Sequence, residues 1–205
     1  MTLAEGIATL GVSLPGGAED RLMAYVSLLA KWNKTYNLTA IRDPAEMVTH
    51  HLLDALAVLP HLEKSAPAGR GFRFADIGSG AGLPGLVLAM ARPDWSITSV
   101  EAVDKKAAFQ RQATIELALA NVRVHCGRVE ALSGNFDGVI SRAFASLADF
   151  VGLAGHLSAC LWAMKGSYPA DEIAALPADW KVTASHRLEV PGLAAERHLL
   201  QLEKN

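Results

Sequence analysis

The stretch Phe72-Arg-Phe-Ala-Asp-Ile-Gly-Ser-Gly-Ala-Gly-Leu-Pro-Gly85 constrains this chain more than any other. Phe72, Phe74 and Ile77 favour a strand. Gly78, Gly80 and Gly82 follow, and alternate glycines let a backbone take positive φ and approach a ligand without Cβ clashes. Pro84 suits the first turn of a helix, where its missing N–H costs nothing. Free N–H groups at that helix start are expected to face whatever the loop holds. The segment therefore predicts strand, glycine loop and helix in succession.

Such a loop could take several ligands. Gly80, Gly82 and Gly85 match the Gly-x-Gly-x-x-Gly spacing of dinucleotide sites, and Glu101 lies about where a ribose-binding acid is expected. A nicotinamide oxidoreductase is therefore one reading. Asp76 points elsewhere. A carboxylate at the strand end repels a pyrophosphate and suits a ligand that carries an ammonium and no phosphate. S-adenosylmethionine, with an ammonium and a sulfonium, is such a ligand. The run from Asp76 to Gly82 resembles motif I of the class I methyltransferases.

The chain has 205 residues, room for one domain with a small appendage. An apolar content of 51% rules out a disordered chain. A formal net charge of −2 excludes a strongly basic polyanion binder but leaves room for a local basic face. Cys126 and Cys160 are too few for a disulfide framework. With no signal peptide and no apolar run long enough for a bilayer, a cytoplasmic protein without membrane contact is expected.

Residues 1–65 read as a helical extension. Leu22, Tyr25, Leu29 and Trp32 share one helical face. Asp43, Pro44 and Glu46 start a helix that carries Met47, Leu52, Leu53, Leu56 and Val58 and stops at Pro60. His50 and His51 diverge on that helix and read as non-ligands, so no metal is expected. Residues 65–71 form the linker to a domain over 71–205. There strands and helices alternate: strands end at Asp76 and Glu101, a helix runs from Asp104 to about Leu119 with Ala108, Ile115 and Leu119 inward, and further strands cover 122–126, 136–141 and 161–164. This pattern implies an α/β, doubly wound and mostly parallel sheet. The last two strands, 180–189 and 197–203, pair antiparallel at one edge.

Ligands of such sheets sit beyond the carboxyl ends of the strands. Asp76 could hold an ammonium there, directly or through water, and Glu101 could accept ribose hydroxyls. Glu130 could accept an adenine amino group beside the Val129 backbone, and Arg142 ends the fourth strand near the transfer point. Neither cysteine follows a proline, as a cytosine-carbon enzyme would need, and no Asp-Pro-Pro-aromatic run marks an exocyclic-amine enzyme. Ser141-Arg-Ala-Phe-Ala-Ser146 stands there instead. A nucleophile with its own lone pair, such as guanine N7, fits this absence of a base. Lys31, Lys34, Arg42, Lys105, Lys106, Arg123, Arg142 and Lys165 suggest a nucleic-acid face. A non-catalytic RNA-binding module is a third reading.

Taken together, several segments resemble the ribosomal RNA small subunit methyltransferase G family, also called the glucose-inhibited division protein B family. They are Lys31-Trp-Asn-Lys-Thr-Tyr-Asn-Leu-Thr39, Arg42-Asp-Pro, His51-Leu-Leu-Asp54, Gly78 to Gly85, Arg128-Val-Glu130, Ser141 to Ser146, Ala163-Met-Lys-Gly166 and Glu196-Arg-His-Leu199. The resemblance implies a seven-stranded class I methyltransferase fold with one antiparallel C-terminal strand. It also implies methylation of guanine N7 in a loop of bacterial 16S ribosomal RNA with S-adenosylmethionine. The partner is bare RNA or the small ribosomal subunit, and the chain is expected to be a monomer. Cofactor contacts carry over to Gly78, Leu83, Val129, Glu130 and Arg142, beside Asp76, Gly80, Gly82 and Glu101 from the residues themselves. No catalytic residue is assigned; Arg142 and Lys165 are candidates for positioning substrate, and Lys31, Lys34, Arg42 and Lys165 for RNA. Glu101 stands where the family usually has Asp, 102–106 depart from a common Ser-Leu-Gly-Lys-Arg, and His50 stands where Arg is common.

Overall fold

The computed structural model describes residues 1–66, 71–142, 144 and 146–205. Most of the expected linker, Pro67 to Arg70, lies outside the described residues, as do Ala143 and Ala145. Two helices open the chain, α1 (Leu3–Leu10) and α2 (Ala18–Tyr36). Helix α3 follows as Pro44–Met47, a π-helical turn over Val48–Leu53, and Asp54–Leu56. Asp43 caps it by accepting the Ala45 N–H at 2.9 Å. Helix α4 (Leu59–Ser65) completes the N-terminal region. Pro60 does not stop a helix as expected but sits in the first turn of α4, where no N–H is needed.

The sheet is built from β1 (Arg73–Ile77), β2 (Ser96–Glu101), β3 (Val122–Cys126), β4 (Gly138–Ser141), β5 (Cys160–Lys165), β6 (Trp180–Arg187) and β7 (His198–Lys204). Among the described residues its order is β3-β2-β1-β4-β5-β7-β6. Strands β1 to β5 are parallel, and β7 runs antiparallel between β5 and β6. Helices α5 (Gly85–Ala91), α6 (Asp104–Glu116), α7 (Leu147–Ala154) and α8 (Ala170–Ala174) lie between the strands in sequence.

Alternation along the strands divides the core. Phe74, Ile97, Ile140 and Trp162 join one buried cluster with Leu22, Leu29, Leu52 and Leu56 of the N-terminal helices. Ala75, Val100, Val139 and Leu161 join the other with Phe150 and Val151 of α7. The period of two sends successive residues to opposite faces. The N-terminal helices thus share a continuous core with one face of the sheet.

Helix α6 departs from its predicted form. It ends at Glu116 and buries Ala107, Phe109, Gln110 and Ala113, whereas Ala108 is exposed and Ile115 is 74% exposed. Leu119 is buried only after the helix has ended. The reason is Gln110: a buried polar residue rotates the inward face away from the apolar pattern. Strand β4 begins at Gly138 rather than 136, and β6 ends at Arg187 rather than 189.

Candidate active site

The glycine loop leaves the carboxyl end of β1 with Gly78, Gly80 and Gly82 at φ of 66°, 60° and 84°. These are left-handed conformations that favour glycine. Most of its amides are not free, contrary to the expectation for a ligand cradle. Gly78 and Ser79 N–H groups donate to the Val100 carbonyl, and those of Gly82 and Leu83 to the Ser79 carbonyl. Gly80 N–H donates to Glu101 and Gly85 N–H to Asp76, each at 2.8 Å. Leu83 itself is buried. A loop with most of its donors already engaged is a poor phosphate nest.

Buried side chains hold this loop from behind. Ser99 Oγ donates to Ser79 Oγ, and Gln110 Nε2 donates to Ser79 Oγ and the Gly80 carbonyl, all at 2.8 Å. Tyr25 of α2 is wholly buried, and its hydroxyl donates to the Ala81 carbonyl at 2.8 Å. Burial pushes its phenol pKa well above the usual value. The N-terminal extension therefore grips the loop directly. Tyr25→Phe is expected to cost about 1–3 kcal/mol, since the buried Ala81 carbonyl loses its donor. Urea unfolding measures this, and an unchanged midpoint would show that the bond carries no weight.

Asp76 has no exposed surface. Its Oδ2 accepts the Gly85 N–H, while Oδ1 has no hydrogen-bond partner. Burial raises its pKa to about 7, opposed by the Gly85 N–H and by the charge of Arg142. So Asp76 lies beneath the loop as a buried carboxyl group rather than at its surface. Glu101 is 6% exposed, and its two oxygens accept the Gly80 and Val103 N–H groups at 2.8 Å each. It braces the loop against β2, a role that the reading of it as a ribose acceptor missed. Val129 and Glu130 lie in a short 3-10 turn, Val129–Ala131, with Val129 buried and Glu130 exposed. The Val129 carbonyl is taken by the Leu132 N–H at 3.0 Å.

Beyond the ends of β4 and β5 opens a cavity of about 400 Å³. Arg142, Lys165, Arg197, Asp54, His50 and His51 line it. Antiparallel pairing of β5 with β7 sets Lys165 opposite His198 and so brings Arg197 to the rim. Asp54 is buried, accepting Arg142 Nη1 at 3.1 Å and Arg197 Nε at 2.9 Å. Lys165 is not an open RNA contact: its Nζ pairs with Glu172 at 2.7 Å. His51 Nε2 meets Thr39 Oγ1 at 2.9 Å. Burial, and secondarily Arg142, lower its pKa to about 4, so the ring is neutral near pH 7.

The sequence reading did not single out Asp54, Arg197 or His51 as site residues. A signal existed for Asp54, a carboxylate amid Leu52, Leu53, Ala55 and Leu56 on a helix otherwise apolar there. Lys31, Lys34 and Arg42 are exposed and line a second cleft of about 400 Å³. Ile41, on the wall of the first cavity, is next to Arg42 in the chain. Among the described residues no cluster could hold a metal ion, and no helix is long and apolar enough to cross a membrane.

Residues 18–200 match the profile of GidB, the rRNA small subunit methyltransferase G family. The chain belongs to this family. A ribosomal RNA small subunit methyltransferase G from Azoarcus sp. (strain BH72) is 58% identical over 98% of this chain and 95% of its own. One from Neisseria meningitidis serogroup C is 54% identical over 98% and 97%. Among solved structures, magnesium protoporphyrin IX methyltransferase from Synechocystis PCC 6803 aligns with a TM-score of 0.61 at 10% identity, covering 88% of this chain and 97% of that one. TrmN from Thermus thermophilus aligns at 0.57 and 18%, covering 77% and 53%. Identities this low establish the fold alone. The family match, together with the strand order and the β7 insertion, makes this an rRNA methyltransferase of class I fold.

Proposed function

We propose that the protein transfers the methyl group of S-adenosylmethionine to N7 of a guanine in bacterial 16S ribosomal RNA. Beyond family membership, one observation supports this ligand over a dinucleotide: the glycine loop has a buried carboxylate beneath it and most of its amides are bonded internally. That arrangement favours a cation and disfavours a diphosphate. The partnerless Oδ1 of Asp76, and the open space at Gly80, where an added Cβ would meet nothing within 4 Å, fit such a ligand. When bound, S-adenosylmethionine supplies an electrophilic methyl group on sulfur.

In this reading Gly78, Gly80, Gly82 and Leu83 shape the cofactor site. Glu101 keeps Gly80 in place while its remaining lone pairs face ribose, and Val129 and Glu130 flank adenine. Arg142 stands between loop and cavity. Arg142 and Arg197 orient the nucleotide through their N–H donors. Guanine N7 attacks with its own lone pair, so positioning replaces deprotonation; alignment of this kind is worth up to roughly 7–11 kcal/mol. Lys31, Lys34 and Arg42 contact neighbouring phosphates. The extension over 1–65 and the domain over 71–205 act as one unit, as a monomer in the cytoplasm.

The test is transfer of tritium from labelled cofactor to small subunits that lack the mark, with bare 16S RNA in parallel. Label on a guanine N7 is expected, and incorporation elsewhere or none at all rejects the proposal. The parallel arm identifies the substrate form. Glu130→Ala should weaken cofactor binding by about 1–3 kcal/mol, the scale of a lost charged acceptor. Calorimetry measures it, and unchanged affinity removes Glu130 from the site.

A further inference from the structure

We propose that Asp54 is the positioning residue of this reaction, holding the Arg142 and Arg197 guanidinium groups at the strand-end cavity to receive the oxygen atoms of the target nucleotide. The inference rests on the RNA methyltransferase reading and adds to it a residue from the helical extension. Asp54 lies in α3, Arg142 just beyond β4 and Arg197 just before β7. These positions are far apart in sequence, and one carboxylate joins them, with its side chain 2% exposed and one oxygen on each arginine at 3.1 and 2.9 Å.

A buried ion triad is a poor way to gain stability. Desolvation of the charges offsets most of their attraction, and apolar replacements of similar volume often do as well. What the triad does supply is geometry. Each guanidinium has five donors in a fixed fork. Asp54 engages Nε of Arg197 and Nη1 of Arg142, the Glu196 carbonyl takes Nη1 of Arg197 and the His50 carbonyl also accepts from Nη1 of Arg142, so part of each fork is used and part is left. Both arginines keep exposed surface, 30% and 25% of their side chains, on the cavity wall. One positive charge is cancelled and one remains, in a cavity whose wall also carries Lys165, itself paired with Glu172. That balance suits an anionic nucleotide. The neighbouring π-helical turn over Val48–Leu53 sets His50 and His51 on the same wall as Asp54.

The test uses Asp54→Asn in the full chain. The change keeps the shape and removes the charge. Turnover on small subunits lacking the mark, as kcat/KM, is expected to fall about 100-fold, the scale for one partner lost from a buried charge pair. Subunit affinity, read by co-sedimentation without turnover, should fall by about 10-fold or more. Arg197→Gln should cause a similar loss, and adding Asp54→Asn to the Arg142→Gln, Arg197→Gln double variant should cost no further subunit affinity, because Asp54 acts through the two arginines. A further loss of subunit affinity on that addition, a loss confined to cofactor affinity, or wild-type kcat/KM in Asp54→Asn would each overturn the proposal. If the uncompensated guanidinium groups prevent Asp54→Asn from folding, the triple variant with Arg142→Gln and Arg197→Gln removes their repulsion. It should fold and leave subunits unmethylated; normal turnover in the triple also overturns the proposal. A wild-type enzyme that methylates nothing would instead reject the underlying reading, while the co-sedimentation result would still test the clamp.

Discussion

Asp76→Asn should weaken S-adenosylmethionine binding by about 10–100-fold, the loss of a charged partner, while making the ligand-free protein more stable at pH 8. The two effects have one origin. Burial raises the Asp76 pKa from 3.8 to about 7. A carboxyl whose folded pKa is raised favours the folded state when protonated. That contribution is fully present below the unfolded value near 4 and is lost as pH rises through 7. A shift of this size corresponds to roughly 4 kcal/mol at most. Asparagine has no charge to desolvate, although its amide faces the position where Oδ1 has no partner, at a cost of about 1–3 kcal/mol. The net gain at pH 8 is therefore about 1–3 kcal/mol, and near pH 4, where only the cost of the amide remains, it should turn into a loss of about 1–3 kcal/mol. A cation in the loop favours ionised Asp76, so binding at pH 6 should release a proton in the wild type and none in Asp76→Asn. Calorimetry in two buffers of different ionisation enthalpy reads that proton. Equal stability of the two proteins at pH 8 would show that the wild-type carboxylate bears no desolvation penalty.

The parts of this fold that obey a simple period were legible from the sequence. Strand–helix alternation from Phe72 onward gave the parallel sheet, and Asp43-Pro44 gave the start of α3, because each depends on residues near one another in the chain. What escaped depends on partners far away. Gln110 is polar and faces inward only because Ser79 and Gly80 are there to receive it. Without that knowledge the apolar pattern of α6 points to Ile115, which lies in solvent. Glu101 was legible as a strand-end acid, but not as a brace whose oxygens both meet backbone amides. Asp54 and Arg197 are separated by 143 positions. No local spacing relates them; the β5–β7 pairing and the packing of α3 on the sheet do. The π-helical turn was hidden for a similar reason, since Val48–Leu53 carries no glycine or proline to mark it.

Gly85→Ala tests the same carboxylate from the other side, and here the sign runs against the usual rule. In an ordinary helix interior this substitution stabilises by about 1 kcal/mol. At Gly85 a Cβ would lie 2.8 Å from Asp76 Oδ2 and 3.0 Å from Asp76 Cβ. The aspartate cannot swing away easily, because it sits on β1 between β2 and β4. Either α5 retreats or the carboxylate turns, and both lengthen the 2.8 Å bond from the Gly85 N–H. Overpacking of this kind costs about 1–3 kcal/mol. Loss of the amide donor to a buried carboxylate adds about 1–3 kcal/mol. Gly85→Ala should therefore destabilise by about 1–5 kcal/mol after the helical gain is deducted. Cofactor affinity should fall as well, because α5 follows directly from the loop. Adding Asp76→Ala removes the carboxylate, the nearest obstruction, together with the unpaired charge and leaves only the Cβ contact at 3.0 Å, so the double variant should be more stable than Gly85→Ala alone. Contacting residues are expected to be non-additive in this way. Thermal melts of the two single variants and the double one measure the coupling. A stabilised Gly85→Ala protein would mean that helix and carboxylate are not in contact, and the loop would then lack the buried charge on which its preference for a cation depends.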